Sequence, residues 1–282
     1  MTAASGDPSP ETGSSVRPSP PTGPPIGSGS SSPERDVGGA AEAPASEEQA
    51  VAPKKRGKRR RRAKGRPDGR RTAWLFRFDQ EFGTRYVAGA DEAGRGSLAG
   101  PLVAAGVLLD YRCLTPEVRK SLAGLDDSKR QTEEDRERLY PAVLAAASRV
   151  VVTARCAGGI DSRGLHVTNL NALADCLARV AVPGATCLSD GFRLGSRCAV
   201  PHEAVVGGDA RSAAIAAASV IAKVTRDRYM RQAAERYPDW NFAGNVGYST
   251  PDHREAIAAN GICVLHRRSF ASTAYIQLEL GA

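Results

Sequence analysis

The chain has 282 residues, 41% of them hydrophobic and 5% aromatic, with a formal net charge of +8. That length allows one large domain or two small ones, with a core that does not depend on disulfide staples. The longest apolar-rich stretch, Ala213 to Ala222, is closed by Lys223 and is far short of a bilayer span, so no membrane partner is expected.

The charge is unevenly placed. Residues 1–71 hold 14 Lys/Arg against 8 Asp/Glu, which leaves 25 against 23 in residues 72–282. Residues 1–53 are dominated by Pro, Ser, Gly and Ala and carry no aromatic side chain. Such a segment cannot bury enough apolar surface to offset its ordering entropy, so a disordered tail is expected. No apolar run follows Met1, so neither a secretory signal nor a transit peptide is expected, and the expected location is cytoplasmic. The run from Lys54 to Arg62, continued by Lys64, Arg66, Arg70 and Arg71, is a polycation whose like charges favour an extended chain. Its natural partner is a nucleic-acid backbone, because each phosphate contact releases counterions whatever the base sequence.

From Trp74 onward the composition is that of a globular domain, and the boundary is expected near residue 72. Strands are expected at 85–91, 102–109, 148–156, 185–190 and 200–206, where small or β-branched apolar residues cluster between turn signals. Helices are expected at 132–147, 162–181, 211–236 and 251–260. Thr132 with Glu133, Glu134 and Asp135 gives the first of these an acidic opening turn, while Asp252 is the candidate cap of the last and Gly261 its stop. Strands first, then strands alternating with helices, imply an α/β domain with a mixed sheet flanked by helices and a helical C-terminal segment. The six cysteines show no C-x-x-C spacing and are expected to be reduced, buried small hydrophobes.

The chemistry concentrates where the apolar run Tyr86 to Ala90 delivers Asp91 and Glu92 into the turn Gly94-Arg95-Gly96. Carboxylates at the end of a core strand need a cation beside them, because burying them alone is costly. Asp190 likewise ends a short apolar strand and precedes Gly191. Asp209 has two open roles, as N-cap of the helix that follows or as a fourth carboxylate of the same site. Strand ends converge in open α/β sheets, so acids distant in sequence can meet. Four carboxylates without His or Cys suit Mg²⁺ or Mn²⁺, and a pair of such ions is the arrangement that cleaves phosphodiesters. Alternation puts Asp91 and Glu92 on opposite faces of an ideal strand, so both can act together only if the strand ends or bulges there. Asp127, Ser128 and Lys129 form a loop in which Ser128 and Lys129 are candidate contacts to a nucleic-acid backbone. Lys223 and Asp227, four residues apart, read as a surface helix pair, and His253 and His266 as hydrogen-bonded structural residues.

Six ordered motifs then resemble one family. They are Asp91-Glu92-Ala93-Gly94-Arg95-Gly96, Asp127-Ser128-Lys129, Asp190-Gly191, Gly208-Asp209-Ala210-Arg211 with the helix to Asp227, Gly247-Tyr248 through His253, and His266 to Phe270. In this order and spacing they are similar to prokaryotic ribonuclease HII. The resemblance implies an RNase H-like fold and a monomeric endonuclease that cuts the RNA strand of RNA/DNA hybrids and single ribonucleotides embedded in duplex DNA. It implies that Asp91, Glu92, Asp190 and Asp209 hold the metal, that Gly94, Arg95 and Gly96 sense the ribose 2′-hydroxyl, and that Tyr248 packs on the following sugar. The family often has Lys where Gly207 stands and Pro where Ser249 stands, changes that would weaken contact to the substrate backbone and loosen Tyr248. Two other readings stay open: a non-catalytic nucleic-acid binder acting through the basic arm, and a ribonuclease HIII-like hybrid nuclease that ignores single ribonucleotides.

Overall fold

A computed structural model describes residues 69–126 and 130–270 together with Tyr275. The expectations for the tail of residues 1–68 and for Asp127, Ser128 and Lys129 lie outside the described residues.

Five strands form the sheet: β1 (Tyr86–Ala93), β2 (Leu102–Asp110), β3 (Arg149–Arg155), β4 (Thr186–Asp190) and β5 (Glu203–Val205). Their order is β3-β2-β1-β4-β5. The first three strands pair antiparallel, whereas β4 and β5 pair parallel to β1 and to each other, so the sheet is mixed as expected. β1 and β2 are buried almost throughout, and their sequences are accordingly apolar runs, from Tyr86 to Ala90 in β1 and from Leu102 to Leu109 in β2, each ending in charge.

Two helices cover the sheet, one on each face. The helix α6 (Ala213–Arg236) packs on one face, and its first ten residues, Ala213 to Ala222, are all buried. It can lie this close because β1 carries Gly89 beneath it, where a Cβ would stand 2.2 Å from the Ala214 carbonyl carbon. The helix α5 (Leu165–Val180) covers the opposite face against Gly106 of β2, where a Cβ would meet the Cys176 carbonyl oxygen at 2.9 Å. The two resulting cores are separate, one rich in alanine around α6 and the other built mainly from leucine, alanine and cysteine around α5.

Several local expectations are corrected. The segment 162–181 is not one helix: α4 (Ala157–Arg163) ends at Gly164, whose φ of 80° breaks the right-handed path before α5 begins. Helix α3 (Glu133–Ala146) opens with a capping box between Thr132 and Asp135. The helix α8 (Pro251–Asn260) is capped by Thr250 and not by Asp252, whose carboxylate accepts a hydrogen bond from Asn241 at 2.9 Å instead. The sequence reading also passed over α1 (Gly69–Gln80), α2 (Pro116–Ser121) and the single turn α7 (Phe242–Asn245). All six cysteines are unpaired, but only Cys176, Cys187 and Cys198 are buried; Cys113 and Cys156 are exposed.

Candidate active site

The register of β1 against β4 decides where the acids meet. Ala90 pairs with Ser189, so the next residues along these parallel strands, Asp91 and Asp190, stand level at the same end of the sheet. β4 stops there, whereas β1 continues in regular register with β2 as far as Ala93 opposite Val103. The strand therefore neither ends nor bulges at Asp91, contrary to the condition drawn from alternation. Glu92 still joins the group because β1 has lost its neighbour on the β4 side, and a cavity of about 860 Å³ opens over that corner, lined by Asp91, Glu92 and Asp190 together.

Asp91 is buried and accepts a 2.7 Å hydrogen bond from the Glu92 backbone N–H. Burial, followed by the charges of Glu92 and Asp190, holds its carboxyl well above the usual carboxylate range, against the opposing hydrogen bonds from Ser219 and Glu92. The Gly208 N–H donates to Asp190 Oδ1 at 2.7 Å. Asp209 follows in a short 3₁₀ turn, Gly208–Ala210, and is itself buried. It is not the cap of α6: that role belongs to Ser212, whose hydroxyl accepts from the Ile215 N–H at 3.2 Å. Asp209 does not line the cavity but lies next to it through Gly208. Among the described residues no three His, Cys, Asp or Glu side chains are already gathered at metal-binding separations. Like charges at a sheet end repel one another in the absence of a cation, and an all-carboxylate donor set of this kind fits a hard divalent ion.

The turn after β1 reaches the same cavity. Gly94, Arg95 and Gly96 line it, as does Tyr248. Gly94 has a φ of 87°, and the Arg95 guanidinium lies 4.7 Å over the ring of Phe192. Tyr248 is half-buried, with its carbonyl oxygen 2.8 Å from His253 Nδ1, and His253 in turn meets His266 at 3.2 Å. Both histidines are buried, and burial pushes His266 down to about 4, so this pair is neutral scaffolding around neutral pH. Of the two departures from the family pattern, Gly207 sits at φ 62°, a left-handed conformation that costs a lysine more than a glycine, while Ser249 is exposed and accepts from Arg254.

Several contributors to the cavity escaped the sequence reading. Lys223 is not part of a surface pair: it lines the cavity, bonds to the buried Asp227 at 2.8 Å and lies 4.8 Å from the centre of the Tyr248 ring. Phe192 carries Arg95. Across the opening, Thr132 and Arg136 of the α3 start also line the cavity, and Arg136 reaches Asp227 at 3.8 Å. A burial-free helix-pair rule gave no sign that Lys223 points inward. The glycine after Asp190 did mark a turn, but nothing told which ring would face Arg95.

A sequence profile of the ribonuclease HII family matches residues 88–273. Ribonuclease HII of Geobacillus kaustophilus is 44% identical over 200 residues, 70% of this chain and 74% of that protein. Ribonuclease HII of Nocardia farcinica is 48% identical over 186 residues, covering 65% of this chain and 71% of that protein. Among solved structures, ribonuclease H2 from Pyrococcus horikoshii OT3 superposes with a TM-score of 0.59 at 25% identity, over 70% of this chain and 99% of that one. The chain belongs to the ribonuclease HII family, and with it to the ribonucleases H, hydrolases that cut RNA paired with DNA.

Proposed function

We propose that the enzyme hydrolyses the RNA strand of RNA/DNA hybrids and also incises duplex DNA on the 5′ side of a single embedded ribonucleotide, leaving 3′-hydroxyl and 5′-phosphate ends. The observation that carries this reading is the convergence of Asp91, Glu92 and Asp190 with the Gly94–Gly96 turn and Tyr248 around one cavity. Asp91, Glu92 and Asp190 would hold Mg²⁺ or Mn²⁺, with Asp209 joining from beside Gly208. Bound there, one or two such ions would supply Lewis acidity for water activation and neutralise charge at the phosphate.

The remaining work falls to the chain's own residues. Gly96, with nothing within 4 Å of where its Cβ would stand, leaves the backbone of the turn bare, so a ribose can approach closely enough for its 2′-hydroxyl to meet main-chain groups. Tyr248 packs its ring on the next sugar and favours one without a 2′-hydroxyl. Lys223, beside Tyr248, faces the sugar-phosphate chain as a compact cation, with Asp227 fixing its direction. The test is cleavage of a labelled RNA/DNA hybrid with Mg²⁺ or Mn²⁺ by the wild type, D190N and D209N. Cleavage by the wild type and its loss in both variants supports the assignment; a D209N enzyme at full rate would remove Asp209 from the site.

A further inference from the structure

Two arginines of this chain, Arg226 on α6 and Arg267 after α8, are completely buried. Among the described residues neither forms an ion pair with a carboxylate; every hydrogen bond they donate goes to a backbone carbonyl. Arg226 gives Nε to Pro101 O, Nη2 to Ala99 O and Nη1 to Val246 O, each at 2.9 Å. Arg267 gives Nη1 to Arg95 O at 3.0 Å and both Nε and Nη2 to Gly100 O at 3.1 and 3.0 Å. The carbonyls they hold belong to the irregular segment 94–101 and to the residue two before Tyr248. A loop of this kind has no ladder to satisfy its carbonyls, and the planar fork of an arginine can serve two or three at fixed angles.

The packing is as specific as the bonding. A Cβ on Gly94 would stand 2.0 Å from Arg226 Nε, so the guanidinium lies directly against the turn, and the same group sits 5.2 Å from the Tyr248 ring centre. Val246, whose carbonyl Arg226 holds, has a φ of 44°. That is an unfavourable conformation for a β-branched residue, and it persists only where the surroundings impose it. The strain lies immediately before Gly247 and Tyr248, at the point where the chain turns to present the ring to the cavity.

We propose that Arg226 and Arg267 are positioning residues for ribose selection: together they fix the spacing between the Gly94–Gly96 turn and Tyr248, the two parts that would flank the ribonucleotide. This rests on the reading given under Proposed function. Neither arginine touches substrate. Each acts by keeping backbone groups of the turn and the Tyr248 ring in register with one sugar-phosphate unit, so that a nucleotide lacking the 2′-hydroxyl donor gains nothing from the site.

The experiment compares kcat/KM on two duplexes that differ at one nucleotide, a ribonucleotide or its 2′-fluoro analogue, for the wild type, R226K, R267K and G100A, with thermal melts in parallel. Lysine keeps the charge and loses the fork. G100A keeps both arginines but disturbs the backbone they grip: φ there is 88°, and the added Cβ would stand 2.2 Å from Met230 Sδ and 3.2 Å from Arg226 Nη2, so it serves as a second variant wherever it folds. The expected result is a fall of roughly tenfold in the ribo-to-fluoro ratio in folded variants, as the loss of one geometric constraint of this kind produces. A folded variant that slows on both duplexes alike, with the ratio intact, would reduce the arginines to fold stability and overturn the proposal. If the wild type cuts neither duplex, it is the underlying functional reading that fails.

Discussion

Asp91 and Asp190 stand side by side because β1 and β4 run parallel with Ala90 opposite Ser189, so two core strands deliver their carboxylates to one place. The cost of that arrangement is visible in Asp91, whose carboxyl is held well above its ordinary range by burial and by the charges of Glu92 and Asp190. Replacing it with the uncharged isostere therefore has opposite effects on stability and on activity. D91N is expected to melt several degrees above the wild type in metal-free buffer, since it removes a buried charge from a like-charged group. Its cleavage rate is expected to fall roughly 100-fold or more, the size of effect that the proposed role of Asp91 in holding divalent cations implies. Calorimetry and a gel-based cleavage assay on the same preparation check both.

A second buried acid has no place in the site and reports on the fold. Asp79 of α1 accepts from the Tyr111 hydroxyl at 2.8 Å and from the Ala214 N–H at 3.0 Å, and so ties α1 to the start of α6. Burial outweighs these bonds and raises its carboxyl to about 6. A carboxyl raised in the folded state takes up its proton near pH 6 there, but only near pH 4 when unfolded, so its contribution to stability grows as the pH falls from 7 to 4. The expected gain is about 2 kcal/mol relative to D79N between pH 7 and pH 4.5. Urea unfolding of both proteins at pH 7 and pH 4.5 measures it; a constant difference between them contradicts it.

Two glycines in the fold call for opposite outcomes. At Gly89 a Cβ would collide with the Ala214 backbone, which cannot move without shifting α6 off the sheet. G89A is expected to lose about 3 kcal/mol or more, as overpacking against a rigid backbone does. Gly158 lies inside α4 with nothing near its Cβ direction. G158A is expected to gain up to about 1 kcal/mol from helix propensity and reduced chain entropy. Denaturant midpoints at neutral pH give both numbers.

Arg95 rests on Phe192, and that contact pre-orders the side chain at the cavity mouth. A cation–π contact at a partly exposed site contributes about 0.5–1 kcal/mol, so F192A is expected to raise KM roughly two- to fivefold with kcat nearly unchanged. A fall in kcat with KM constant would instead place Phe192 against the reacting phosphate.

The fold was largely legible in the sequence because its strongest signals are local. Five short apolar runs between turn residues gave the five strands, and Asp91 and Asp190 stood out as charges at the ends of otherwise apolar segments. What stayed hidden depends on contacts. Gly164 looked like a residue within one helix, and only its left-handed backbone separates α4 from α5. Asp209 is the cap candidate the sequence analysis names; the 3₁₀ turn after it is what gives the role to Ser212. The inward course of Lys223 and the burial of Arg226, three residues on, cannot be read from a helix that is buried on more than one side.

The central claim is that this carboxylate cluster and its neighbouring turn recognise and cut beside a single ribonucleotide. The most direct measurement uses a duplex of DNA with one internal ribonucleotide, incubated with the enzyme and Mg²⁺ or Mn²⁺, and maps the product ends at nucleotide resolution. The expected result is one incision on the 5′ side of the ribonucleotide, leaving a 3′-hydroxyl and a 5′-phosphate. An intact duplex with either metal, alongside normal cutting of an RNA/DNA hybrid, would contradict the account.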